Sequence, residues 1–151
     1  MTPYTLDNGA ITGHNRPFFN NRPLYGDHRS SVVLAGDRLH LRFANKPNVY
    51  GCMTLAVQRG SDSLWLHDVA EVISRYRPGR MEWEVSDPRF PDLVLLIEAI
   101  PLAGTEGFTV KLTSLRAMAS DHLIWAFGGA VPVGDASAHF DPIVRTIIEA
   151  G

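Results

Sequence analysis

The chain has 151 residues, of which 45% are hydrophobic and 20% charged, and this is the composition of a single globular domain. A formal net charge of −2 gives no field that would attract nucleic acid or an anionic membrane, so neither is expected as a partner. The single cysteine excludes an internal disulfide framework and cannot alone form a zinc site, and we expect no metal and no cofactor. No apolar run reaches the roughly 18 residues of a membrane span, and residues 1–20 lack a secretory signal, so we expect a soluble chain. Its compartment, periplasmic or cytoplasmic, stays open.

Residues 14–29 form the most unusual segment, with three arginines, three asparagines, two histidines and three aromatic residues. Arg16 and Arg22 each precede a proline, which favours extended backbone at both positions. The segment therefore predicts an ordered loop, whose polar side chains either tie down loop carbonyls or recognise an oxygen-rich ligand. The candidate substrate-binding or domain-interface residues of this segment are His14, Asn15, Arg16, Asn21, Arg22 and Tyr25.

Short apolar segments follow, separated by Gly, Pro, Asn and Asp, which is the pattern of an all-β domain. Gly36-Asp37 predicts a tight hairpin turn of the mirror-image type. The continuously apolar run 93–97 predicts a central strand that is covered on both faces. About eight strands are expected, enough for two packed sheets, at 31–35, 38–43, 52–59, 64–69, 81–85, 93–97, 108–113 and 123–127.

The predicted fold is therefore a two-layer antiparallel β-sandwich. Its core residues are expected at positions that alternate along the strands or lie in the run 93–97. They are Leu39, Leu41, Phe43, Leu55, Val57, Trp83, Leu95, Ile97, Val110, Leu112, Trp125 and Phe127.

A second polar cluster, residues 74–80, holds three arginines around a tyrosine and leads into a Pro-Gly turn. Asp68 and Glu71 precede it, so internal ion pairs are one interpretation and ligand recognition is the other. Its candidate site residues are Arg75, Tyr76 and Arg77, and we expect Arg22 and Arg77 to lie on loops.

The last residues have a different pattern. Asp141 suits a helix N-cap, Pro142 suits the first helical position, and apolar residues recur at helical spacing up to Gly151. We expect a β-sandwich domain over 1–140 and, over 141–151, the start of a short helix or a linker. This segment either packs back on the sandwich or leads to a further domain absent from this chain.

Five short motifs occur in a fixed order: Asn-Gly at 8–9, Asn-Arg-Pro-Leu-Tyr-Gly at 21–26, Ala-Gly-Asp at 35–37, Ser-Arg-Tyr-Arg-Pro-Gly at 74–79 and Trp-Ala-Phe-Gly-Gly-Ala at 125–130. Together they resemble the N-terminal β domain of DUF4450, a bacterial polysaccharide-degradation family whose members resemble six-hairpin glycoside hydrolases and uronate-acting lyases. The resemblance implies a supersandwich-like β domain followed by an α/α toroid that carries much of the catalytic machinery.

Motifs that carry chemistry directly are absent from the sequence: there is no Gly-rich phosphate loop, no His-Glu-x-x-His and no Gly-x-Ser-x-Gly. Glu82 and Glu84 alternate with Trp83 and are interpreted as a charged outer strand face rather than as a glycosidase pair. His14 and His28 have no identifiable partner, so no catalytic residue is assigned.

Two classes of function are therefore expected. In the first, the chain is the β domain of a glycan-degrading enzyme, which shapes the cleft for a carbohydrate, including glycans that contain uronic acids, next to a C-terminal catalytic domain. In the second, the chain is a stand-alone, non-catalytic carbohydrate-binding or scaffold module. An open reading frame that continues far beyond Gly151 would favour the first.

Overall fold

The computed structural model describes residues 4–17, 22–26, 31–45, 49–116, 120–132 and 144–149. Within these residues the chain forms thirteen β-strands. They are β1 (Thr5–Asp7), β2 (Ala10–His14), β3 (Arg22–Leu24), β4 (Ser31–Ala35), β5 (Leu41–Asn45), β6 (Val49–Arg59), β7 (Asp62–Trp65), β8 (Glu71–Arg77), β9 (Arg80–Asp87), β10 (Phe90–Pro101), β11 (Phe108–Ser114), β12 (Asp121–Pro132) and β13 (Val144–Glu149).

The strands form two antiparallel sheets. Sheet A has six strands in the order β1-β2-β8-β9-β10-β11. Sheet B has seven: the path β13-β12-β6-β5-β4-β3, together with β7, which pairs with β6 beyond the end of β5. One buried apolar cluster takes side chains from both sheets, so the sheets face each other and the predicted all-β sandwich is confirmed.

Alternation along the strands places the core. On β9, Met81, Trp83 and Val85 are buried, whereas Glu82 and Glu84 point away from the core. Seven of the predicted core residues are buried: Leu39, Leu41, Leu55, Val57, Trp83, Leu95 and Ile97. Four more pack against them and are partly buried: Phe43, Val110, Leu112 and Trp125.

Phe127 does not belong to the core as predicted, since it is 38% exposed. Its ring lies over Gly51 of β6, where an added Cβ would come within 2.5 Å of the ring. An aromatic ring that covers a strand glycine is a common cross-strand arrangement and needs no burial between the two sheets. The alternation pattern gave the correct face for Phe127 but could not show how far the opposite sheet extends.

The run 93–97 is not covered on both faces. Leu93, Leu95 and Ile97 are buried, whereas Val94 and Leu96 are half-buried on the outer face of sheet A. They pair with Ser86 and Glu84 of β9, so their neighbours on that face are polar. A continuous apolar sequence therefore marks a strand in a sandwich here and not a strand between two layers.

The hairpin at Gly36-Asp37 is confirmed, but its turn is wider than predicted. The amide of Gly36 donates to the carbonyl of His40 at 3.0 Å, which leaves Asp37 to Leu39 as the connection between β4 and β5. Asp37 is a buried side chain and not an exposed turn residue, for a reason that the site below makes clear.

The prediction of a C-terminal helix is wrong for Val144–Glu149. These residues form β13, which pairs with β12. Four of these six residues are β-branched and favour strands: Val144, Thr146, Ile147 and Ile148. The segment forms antiparallel backbone pairs with β12. Asp141 and Pro142 lie outside the described residues. The further domain expected after this segment stays a prediction.

Candidate functional site

Asp37 is the centre of a polar junction between the two sheets. Its side chain is 1% exposed and accepts hydrogen bonds from the hydroxyl of Tyr4, from Nε of Arg22 at 3.2 Å and from Oγ of Ser74 at 3.3 Å. Ser74 lies on β8 of sheet A, and Arg22 begins β3 of sheet B. The buried carboxylate is thus held by donors from both layers, as a buried charge requires.

The Arg22 guanidinium lies between two aromatic rings. Its Cζ is 4.7 Å from the centroid of the Tyr4 ring and 5.4 Å from that of Tyr76. The Arg16 guanidinium lies over the Tyr4 ring as well, at 4.4 Å. The Tyr76 hydroxyl donates to the carbonyl of Pro23 at 2.9 Å, which ties β8 to β3. Cation–π contacts therefore add to the ion pair at this junction.

Three of the five motifs meet at this junction. Arg22 and Pro23 come from the segment 21–26, Asp37 from 35–37, and Ser74 and Tyr76 from 74–79. Residues distant in sequence thus share one ion pair and its supports. These contacts within the fold account for the residue types in the three motifs without a bound ligand.

The arginines of the second cluster lie on strands and are paired with glutamates on the outer face of sheet A. Arg75 bonds Glu84 at 2.9 Å and Arg77 bonds Glu82 at 3.2 Å. The antiparallel register of β8 and β9 places these side chains next to each other, which the sequence-based choice of Asp68 and Glu71 as partners missed. Arg22 and Arg77 lie on β3 and β8, so the prediction that they lie on loops is wrong.

Tyr25 lies in a different place, at the edge of a shallow surface cleft of about 310 Å³. Its side chain is 71% exposed. Gly26 packs on Pro101, and Gly79, in the turn between β8 and β9 at φ +77°, lies beside the carbonyl of Tyr25. The ends of the motifs 21–26 and 74–79 therefore meet here as well, and with Leu102 they form an apolar shelf beside an exposed aromatic ring.

His14 and Asn15 lie at the opposite end of β8. Asn15 at φ +46° closes the end of β2: its Nδ2 donates to Glu71 at 2.7 Å and its Oδ1 accepts from the amide of Val72 at 2.7 Å. His14 is exposed on β2, opposite Ile73. Asn21 lies outside the described residues. The eight candidates that the structure describes thus occupy separate places and not one site.

Asp37 and Tyr4 are the important residues that the sequence did not single out. Asp37 had a ready explanation as a turn residue, and Tyr4 precedes any recognisable motif. The described residues contain no group of three His, Cys, Asp or Glu side chains that could hold a metal ion. No helix in the described part of the chain is long and apolar enough to cross a membrane.

His40 carries the clearest electrostatic signature outside the ion pairs. The pKa of His40 is lowered from 6.5 to about 4, mainly by burial and in addition by the positive charges of Arg42 and His67. The His40 side chain is half-buried. A neutral imidazole at neutral pH is the consequence.

We expect the folded state to lose stability as the pH falls from 6.5 towards about 4. In that interval the unfolded chain binds a proton at His40 and the folded chain does not, so acid favours unfolding. His40→Gln should flatten this part of the pH dependence of the melting temperature, measured at intervals between pH 7.5 and 4. His14→Gln, at an exposed histidine, is the control; equal slopes for the wild type and His40→Gln would contradict the assignment.

The two facing sheets and the buried ion pair between them define an all-β sandwich domain with an internal polar junction. The family model described as "Domain of unknown function (DUF4450)" matches residues 46–135, more than half of the chain, and the chain belongs to this family. The matched range includes the motifs at 74–79 and 125–130. No curated protein and no solved structure matches the chain.

Proposed function

We propose that this chain is the N-terminal β-sandwich domain of a glycan-degrading enzyme, glycoside hydrolase-like or polysaccharide lyase-like. It lines the carbohydrate cleft beside a C-terminal catalytic domain of the same protein and does not carry catalysis alone. The observation that supports the proposal is the cleft at Tyr25, where two of the family-like motifs present an exposed aromatic ring on an apolar shelf.

The chemistry of this cleft suits a sugar ring. A pyranose has an apolar face that packs on an aromatic side chain, and its hydroxyls remain free for polar groups at the edge. Arg80 follows Gly79 directly, but its guanidinium is paired with Glu82 and with Glu98 at 3.2 Å, so its charge is balanced by the chain itself. The Tyr25 ring and the apolar shelf are therefore the groups that we expect a sugar to contact.

Tyr25→Ala should weaken binding of the purified chain to a recognised glycan about 3- to 10-fold, because the stacking contact is lost while the fold is retained. Affinity electrophoresis against pectic and neutral polysaccharides measures this effect. Leu6→Ala, at a 78% exposed leucine on β1, is the matched control for removal of an exposed apolar side chain. If the wild type and Tyr25→Ala bound glycan equally, the cleft at Tyr25 would not be the glycan-binding site.

A stand-alone scaffold or binding module is the second candidate, and a specific observation favours it. Arg22, Arg75 and Arg77 are paired with carboxylates of the chain itself, so their charges are balanced within the domain. Under this alternative, Arg22→Ala and Arg77→Ala lower the melting temperature and leave glycan binding unchanged. Under the first proposal, Arg77→Ala, next to the Pro-Gly turn, also weakens binding.

A further inference from the structure

A polar cavity of about 310 Å³ lies at the end of the sandwich opposite to Tyr25. It is lined by Arg38, His67, Asp68, Val69 and Ala70. Val69 and Ala70 precede β8, whereas Gly79 follows it, so the length of β8, roughly 20 Å, separates this cavity from the Tyr25 cleft. The proposed glycan cleft does not use it.

The Arg38 guanidinium is fixed in place at this cavity. Its Nε donates to the carbonyl of Arg16 at 3.2 Å, and its Nη1 donates to the carbonyl of Val69. Both acceptors are uncharged carbonyl oxygens, so these two bonds hold the guanidinium in place but do not balance its positive charge. A guanidinium has five N–H donors, and the donors left over can bind a carboxylate or phosphate oxygen.

Two further basic residues, His40 and Arg42, lie near His67. His40 and Arg42 lie on either side of Leu41, which is buried in the core, so both side chains lie on the face of the strand away from the core. The amide of Leu66 donates to the carbonyl of Leu55 at 2.9 Å and continues the pairing of β6 with β7 towards His67. Burial is the largest cause of the lowered pKa of His40, and the charges of Arg42 and His67 add to it, which is consistent with these three side chains lying close together.

Asp68 is the acidic group that lines the cavity. Its Oδ2 lies 3.5 Å from Nε2 of His67, and its side chain is 69% exposed. A carboxylate so exposed is a weak, displaceable partner for the imidazole. An external oxyanion in this cavity would compete with Asp68 for His67.

We propose that the cavity lined by Arg38 and His67 binds an oxyanion, the carboxylate of an acidic sugar or a phosphate group, with Asp68 as an internal competitor. The inference does not depend on the function proposed for the Tyr25 cleft. It assigns a second binding site to the domain.

The test uses the 151-residue chain with D-galacturonate, inorganic phosphate and neutral methyl galactoside, and follows the histidine resonances by NMR. Galacturonate or phosphate should bind and move the titration midpoint of His40 upwards, because a nearby anion favours the imidazolium. Binding of galacturonate alone identifies a carboxylate site, and binding of phosphate alone a phosphate site. No binding of either, or equal binding of the neutral galactoside, overturns the proposal.

The variants have opposite expected signs. Arg38→Gln should weaken oxyanion binding about tenfold, since a charge-assisted pair is lost. Asp68→Asn should strengthen it about threefold, since the competing negative charge is removed. Lys111→Gln, an exposed cation of sheet A, and Asp62→Asn, an exposed acid of β7, are the matched controls.

Arg38→Gln could fail to fold, because Arg38 also supports two carbonyls. In that case the site is tested with His67→Gln and Asp68→Asn. Both side chains are partly exposed, so these substitutions should leave the fold intact. A purely structural role predicts no gain of affinity on Asp68→Asn beyond that of Asp62→Asn, and that result would refute the competitor role and with it the site.

Discussion

Asp37→Ala should lower the free energy of unfolding by about 3 to 5 kcal/mol, the largest effect that we expect from a single charged residue of this chain. The substitution removes the acceptor of three side-chain donors, Tyr4, Arg22 and Ser74, in a place that solvent does not reach. It leaves the mostly buried Arg22 guanidinium without its carboxylate. Urea unfolding at pH 7 measures the loss directly.

Two comparisons make this result specific. Asp7→Ala, at an exposed carboxylate of β1, should change stability by less than about 0.5 kcal/mol. In a double-mutant cycle, Arg22→Ala should be less destabilising in the Asp37→Ala background than in the wild type, because its partner has already gone. Additive losses would mean that Arg22 and Asp37 are neighbours without mutual stabilisation, and the junction would then rest on packing alone.

The sequence was sufficient for the fold class because sandwich strands alternate. Trp83 between Glu82 and Glu84, and Leu41 after Leu39, were assigned to the correct face from periodicity alone. Periodicity does not reveal the lateral extent of the opposing sheet, so the exposure of Phe127 was missed. The helical spacing of apolar residues was misleading at Val144–Glu149, where the β-branched composition and pairing with β12 favour a strand.

The candidate site was less predictable, because its residues combine through register and not through proximity in sequence. Arg75 and Arg77 were recognised as polar anchors, but their partners Glu84 and Glu82 depend on the pairing of β8 with β9. The role of Asp37 could not be predicted, because an aspartate that follows glycine in a hairpin is equally well explained as an exposed turn residue. Only the structure shows that its side chain is buried.

Trp83→Ala should destabilise the domain by about 3 to 5 kcal/mol, since it removes the largest fully buried side chain and leaves a cavity between the sheets. Trp83 also connects the layers by a hydrogen bond: its Nε1 donates to the carbonyl of Gly36 at 2.9 Å. Gly36 lies next to Asp37, so the indole and the ion pair fix the same turn of sheet B against sheet A. Thermal unfolding followed by circular dichroism measures the loss.

Trp83→Phe separates the two contributions of this side chain. It keeps most of the buried apolar volume and removes the donor, so the buried Gly36 carbonyl is left unpaired at a cost of about 1 to 3 kcal/mol. Trp65→Ala, at a half-buried tryptophan of β7, should be milder than Trp83→Ala, since less packing is lost. If Trp83→Phe were as damaging as Trp83→Ala, the hydrogen bond to the turn, and not the volume of the ring, would hold the sheets together at this point. The junction at Asp37 would then extend to Trp83 as one polar unit.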